Sequence, residues 1–216
     1  MARTLITVTR QLGSNGDQVA AALAQALGVP LIERQIVESA AGAAGVAVDA
    51  MDEAEKAPTF VERMLEYLGQ HAGGFDPLTD FTMEGGAGGT GLTSDAYRHL
   101  VEQVLHRTAE SSDAVIVGHG ASVVLRDEPG VFRLLVCAPV RTRAQRLQEF
   151  EHISFEAAEA KVREDDKRRT DFFQLYYKVL WTNPAVYDLC INTARVDVST
   201  AVDIVKAAHA QVAAAS

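Results

Sequence analysis

No run of apolar residues in this 216-residue chain approaches the ~20 needed to span a bilayer as a helix, so no membrane segment is expected. Cysteine is nearly absent. The two present, Cys137 and Cys190, each lie in an apolar strand-like run, which reads as two reduced core residues and offers too few ligands for a disulfide framework or a metal site. An excess of positive charge is lacking as well. With 20 basic against 29 acidic residues the formal charge is −9, which disfavours a general grip on nucleic acid or an anionic membrane and leaves room only for a local basic pocket. There is no internal repeat, no Ser-His-Asp order and no zinc-ligand spacing. Met1-Ala2-Arg3 leads straight into a short strand rather than a secretion signal, so the expected location is cytoplasmic.

What is present is a 48% hydrophobic chain, long enough for a sizeable core, which reads as one α/β domain over residues 1–216 with insertions. Its chemistry concentrates in residues 6–20, ITVTRQLGSNGDQVA. An apolar strand runs into a glycine-bearing turn and then a helix, the plan of a phosphate-binding loop. The pattern G-x-x-x-x-G-K-[ST] uses glycines so that backbone N–H groups face the phosphates, a lysine for the outer phosphates and a hydroxyl for Mg²⁺. Here the register puts Arg10 at the first glycine, Asn15 at the second, Gly16 at the lysine, and Asp17-Gln18 after it. Gly13, Ser14, Asn15 and Gly16 still lead into a helix N-terminus, which favours an anion through its unpaired N–H groups and dipole. Arg10 is the candidate substitute cation. Asp17 adds charge of the opposite sign.

Further along, residues 5–9, 31–32, 114–118, 132–137 and 189–192 read as buried strands, alternating with helices at 16–27, 97–105 and 154–177. That alternation predicts a parallel sheet with right-handed crossovers. Residues 35–112 form an irregular helical insertion, with a further helix at 61–68 and a flexible glycine-rich loop at 84–92. The loop adjoins neither a strand nor a Lys-Ser/Thr pair. Glu33 and Arg34 follow the second strand, where open α/β sheets place ligand contacts. On the helix at 154–177, Glu164–Arg168 and Asp165–Arg169 are expected i,i+4 pairs, with Phe172, Tyr176 and Leu180 packing it down. Ser199 is the expected cap of the last helix.

The turn at Arg10, Gln11, Gly13, Ser14 and Gly16 resembles that of the cytidylate kinase-like family of P-loop proteins. The likeness continues at residues 115–121, 125–127, 138–139, 164–169 and 188–193. It implies a P-loop NTPase-like three-layer fold: a five-stranded parallel sheet flanked by helices, with a helical insertion and a helical lid. Residues 154–177 resemble the lid of nucleoside monophosphate kinases, which closes over donor phosphates and supplies positive charge. By that resemblance Lys167, Arg168 and Arg169 join Arg10 as catalytic cations. Gly13, Ser14, Asn15, Gly16, Asp17 and Gln18 bind the cofactor, ATP with Mg²⁺. Glu33, Arg34, His119 and Arg163 face the acceptor, and no protein metal site is implied. The family usually carries arginine where this chain has Asp17 and His119. The implied activity is ATP-dependent phosphoryl transfer to a nucleotide or another small acceptor. The alternatives are a non-catalytic nucleotide or anion sensor and a ligand-free homo-oligomer.

Overall fold

A computed structural model describes residues 4–33, 36, 38–39 and 94–215. The chain divides into two compact units, residues 35–104 and the rest. Arg34, the helix expected at 61–68 and the glycine-rich loop at 84–92 lie outside the described residues.

In the larger unit, β1 (Leu5–Arg10), β2 (Leu31–Ile32), β3 (Ala114–Val117), β4 (Val131–Cys137) and β5 (Leu189–Asn192) form one sheet in the order β2-β3-β1-β4-β5, with every pairing parallel. Among the described residues the helices include α1 (Gly16–Leu27), α2 (Ser94–Ser111), whose first part belongs to the smaller unit, α3 (Ala121–Val124), α4 (Val140–Glu151), α5 (Phe155–Tyr177) and α6 (Val198–Ala215). β1 is central and buried on both faces because its side chains alternate. Ile6 and Val8 join Val19 and Leu23 of α1 and Ala201 and Val205 of α6 in one core. Thr7 and Thr9, on the other side, are hydrogen-bonded to Ser122 of α3, each at 2.9 Å. Strand order reverses at β1, which opens a crevice at its C-terminal end.

Local chemistry sets the helix ends. Asn15 in the left-handed region, φ 59°, starts α1, and Gly28 at φ 67° stops it by donating its N–H to the Ala24 and Gln25 carbonyls. Asp197 rather than Ser199 caps α6, accepting from the Thr200 N–H at 2.8 Å. α5 ends at Tyr177 with Lys178 left-handed, so Leu180 falls beyond the helix and is half exposed. Phe172 packs as expected against the cluster that holds α5 down, whose buried members are Phe173, Trp181, Val123, Leu135 and Tyr187. The cysteines also depart from expectation. β5 is an edge strand on which only Ile191 is buried, leaving Cys190 exposed, and Cys137, the last residue of β4, is half-buried; both are free thiols.

On α6, His209 is 8% exposed, stands edge-on to the Phe132 ring, and its Nε2 has no hydrogen-bond partner. Burial pushes its pKa below the ordinary value. A depressed folded pKa means the unfolded chain takes up its proton first as pH falls, so stability declines from about pH 6.5 downward. Asp165 and Asp188, both held below the ordinary carboxylate range, respond only nearer pH 4. His209→Leu is therefore expected to flatten the urea-midpoint profile between about pH 7 and 5. An unchanged slope would remove His209 as its source.

Candidate functional site

The loop after β1 is built around one side chain. Arg10 leaves the end of β1 and crosses Gly16, where an added Cβ would lie 2.3 Å from the Arg10 Cβ and 3.3 Å from Ser14 Oγ. Its guanidinium then meets three elements. Nε donates to Asp17 Oδ1 in the first turn of α1, and Nη2 donates to Glu33 Oε1 at 2.5 Å. Nη1 lies 3.0 Å from the Cβ position of Gly118, just past β3. A carboxylate that looked merely repulsive in sequence is thus the partner of the loop's cation. The Asn15 side chain makes no capping hydrogen bond at the start of α1, and the first amides of a helix have no intrahelical acceptor. Ser14 is fully buried, and its Oγ is unpartnered.

His119 stands at φ 52° between two left-handed glycines. Its Nε2 lies 3.0 Å from the Glu33 carbonyl. A carbonyl only accepts, so Nε2 carries the hydrogen and Nδ1 of a neutral ring is an acceptor. Arg10, Asp17, Glu33 and His119 therefore converge at the C-terminal end of the sheet, beside Gly13, Ser14, Asn15, Gly16 and Gln18.

The basic residues of α5 are held by their own helix. Arg168 and Arg169 both donate to Asp165, at 2.7 and 2.8 Å. Lys167 pairs with Asp171 at 3.8 Å, and Arg163 with Glu159 at 2.6 Å. Burial pushes the Asp165 carboxyl up, but the Arg169 and Arg168 guanidiniums outweigh it and hold it below the usual range. One of the two expected i,i+4 pairs, Asp165–Arg169, forms, and Arg168 turns to the same carboxylate. Nearby, the Tyr187 hydroxyl donates to the Trp181 carbonyl at 2.5 Å, and burial pushes its pKa up to about 12. It stays protonated at neutral pH.

Sequence reasoning passed over the residues that support the loop from behind. Arg143 and Arg146 of α4 aim at its carbonyls: Arg143 Nη1 reaches the Leu12 oxygen at 3.4 Å and Arg146 Nη1 the Gly13 oxygen at 3.4 Å. Arg146 also donates to Thr193 Oγ1 and its carbonyl, at 3.1 and 2.7 Å, and the Thr193 hydroxyl donates to the Ser14 carbonyl at 2.7 Å. The signal was two arginines one helical turn apart, directly after a strand that ends beside the loop. Among the described residues, no group of three or more His, Cys, Asp or Glu side chains could hold a metal ion, and no helix is long and apolar enough to cross a membrane.

A family model described as the cytidylate kinase-like family matches residues 5–195. The chain is 31% identical over 87 residues to a cytidylate kinase of Natronomonas pharaonis, a match covering 40% of this chain and 45% of that protein. The matched region thus spans about half the length of that curated relative. Among solved structures, an uncharacterized protein from Eubacterium ventriosum aligns at TM-score 0.65 and 20% identity over 95% of this chain and 97% of that one. A gluconokinase from Sinorhizobium meliloti aligns at TM-score 0.51 and 17% identity over 98% and 94%. Both likenesses concern the fold.

Proposed function

The chain belongs to the cytidylate kinase-like family, and we propose that it binds a phosphate-bearing nucleotide at the loop after β1, in the cytoplasm, with Arg10 doing the work of the missing loop lysine. One observation carries this reading: the side chain at the loop's first position fills the space above its seventh. The Cβ atoms of residues 10 and 16 compete for one place, so only one of the two positions can carry a cation. A Walker loop puts glycine first and lysine seventh. This chain has the reverse, arginine first and glycine seventh, which keeps one cation on the loop. The first-turn amides of α1, which have no intrahelical acceptor, and the orphan hydroxyl of Ser14 fit phosphate oxygens.

The reaction proposed is ATP-dependent phosphoryl transfer to a nucleotide or another small acceptor, with Glu33, Arg34 and His119 on the acceptor side. The α5 cations Arg163, Lys167, Arg168 and Arg169 would turn from their carboxylate partners to the anion. Mg²⁺ entering with the nucleotide would be held by the hard carboxylate oxygens of Asp17 and Glu33 and would neutralise phosphate charge. The second reading, a non-catalytic nucleotide or anion sensor, is favoured by the lack of the Mg²⁺-binding hydroxyl, whose position after the lysine is taken by Asp17. A coupled assay with ATP, Mg²⁺ and a panel of nucleoside monophosphates separates them, with turnover near the ~10 s⁻¹ enzyme median establishing the kinase.

Arg10→Ala tests the site itself. A lost charge-assisted hydrogen bond should weaken ATP or pyrophosphate by ~1.5–3 kcal/mol, read by calorimetry. Unchanged affinity would remove Arg10 from the site.

A further inference from the structure

Arg143 is 1% exposed, and its guanidinium joins three parts of the chain. Nη1 and Nη2 grip the Asp166 carboxylate of α5 at 3.1 and 2.6 Å. Nε donates to the Ala138 carbonyl at the end of β4 at 2.9 Å, and Nη1 also reaches the Leu12 carbonyl of the phosphate loop at 3.4 Å. The Leu12 side chain packs into the core between α4 and α5, with Leu147 and Val162. Gly13, at φ 76°, passes so close that a Cβ there would lie 2.6 Å from the carbonyl oxygen of Arg143. Two successive loop residues therefore rest, by carbonyl, side chain and backbone, on the α4–α5 pair.

We propose that Arg143 and Asp166 are positioning residues that set the phosphate loop's amides according to where α5 stands, a role that rests on the phosphate reading of that loop. The fork of a guanidinium is planar and rigid, so a shift at its Asp166 edge is passed to the Nη1 donor that reaches the Leu12 carbonyl rather than absorbed by a flexible stem. The pair also stays joined in the native state, because a buried arginine without its carboxylate is strongly disfavoured. A helix that carries Lys167, Arg168 and Arg169 is thereby tied to the turn beneath them. Closing α5 over an anion and ordering the loop become one event.

A pair that merely fastens α5 to α4 would affect the whole fold evenly. The proposed pair affects the loop first. Amide hydrogen exchange of the ligand-free protein distinguishes them, because loop amides are hydrogen-bonded and therefore measurable: Ser14 to the Gln11 carbonyl at 3.0 Å and Val19 to that of Asn15 at 3.0 Å. Strand-associated amides serve as references, Val115 to the Pro30 carbonyl at 2.9 Å and Gly118 to that of Val8 at 3.1 Å. In Asp166→Asn, Ser14 and Val19 are expected to exchange about tenfold faster, while Val115 and Gly118 keep parental rates. Asp166→Glu, which keeps the charge, should restore most of the protection. Arg143→Lys, which keeps the charge and loses the fork, should reproduce the loop-selective pattern and stands in if Asp166→Asn does not fold. Uniform acceleration, or none in the loop, overturns the proposal. Pyrophosphate titration of the same proteins should show affinity falling about fivefold with the loop's protection. A parent that binds no pyrophosphate overturns the phosphate reading, and the exchange pattern still decides whether α5 controls the loop.

Discussion

Gly16→Lys, which writes the Walker lysine back into the loop, is expected to damage the site rather than repair it. The new Cβ would fall 2.3 Å from the Arg10 Cβ and 3.1 Å from its Cγ, with Ser14 Oγ 3.3 Å away. Real Cβ atoms do not approach this closely, and forcing extra atoms into a packed position costs about 1–3 kcal/mol. Both Cβ positions are set by the backbone, so relieving the contact must shift the end of β1 against the start of α1, which pulls Arg10 from Asp17 and Glu33 as the new cation is gained. Urea unfolding should show the loss of stability, and pyrophosphate affinity should fall rather than rise. The reciprocal change is the stronger test. Arg10→Gly alone removes the cation and should lower affinity about tenfold or more, in line with ~1.5–3 kcal/mol. Adding Gly16→Lys to Arg10→Gly clears the collision and restores the Walker order, so most of that affinity should return. Tighter binding and full stability in Gly16→Lys alone would show that the two side chains do not share one space, and the basis of the proposed function would fall with it.

The other large effect is one of stability. Trp181 is fully buried, packs with Phe173 and Leu135, donates its indole N–H to Thr170 Oγ1 at 3.1 Å, and lies 5.8 Å from the Arg169 guanidinium. Trp181→Ala empties the space between α5 and the sheet and should cost about 3–5 kcal/mol. That is a large part of the ~5–15 kcal/mol by which a domain of this kind is stable. The urea midpoint should drop by about 1–3 M. Phe150→Ala provides the contrast: a side chain of the same class, 83% exposed, whose removal should stay within about 0.5 kcal/mol. Equal effects would mean that Trp181 does not anchor α5.

The strands and the loop were legible in the sequence because their signals are local. Residues 5–9 are apolar and β-branched, as a strand buried on both sides must be. Asn15 and Gly28 bracket α1 because each sits in the left-handed region that only such residues enter readily. The five-stranded parallel sheet followed from strands alternating with helices. Where local reading failed, a neighbouring element decided the outcome. The end of α5 at Tyr177 was read correctly, but the apolar character of Leu180 did not reveal that it stays half exposed while Trp181 is buried, and an apolar run around Cys190 did not reveal that β5 is an edge with only Ile191 covered.

The sequence by itself determined a parallel α/β sheet and a strand–turn–helix loop with arginine at its first position and glycine at its seventh. Only the tertiary structure decided which charges meet. Strand order brings Glu33, Gly118 and Arg10 to one end of the sheet, turning Asp17 from an apparent repulsion into one side of a shared ion pair. It also sets Arg143 against Leu12, 131 positions away in the chain, and against Asp166. Turn geometry and periodicity act over a few residues, so the chain states them directly. The partner of a buried charge depends on which strands lie side by side, and that is settled only when the whole sheet closes its core.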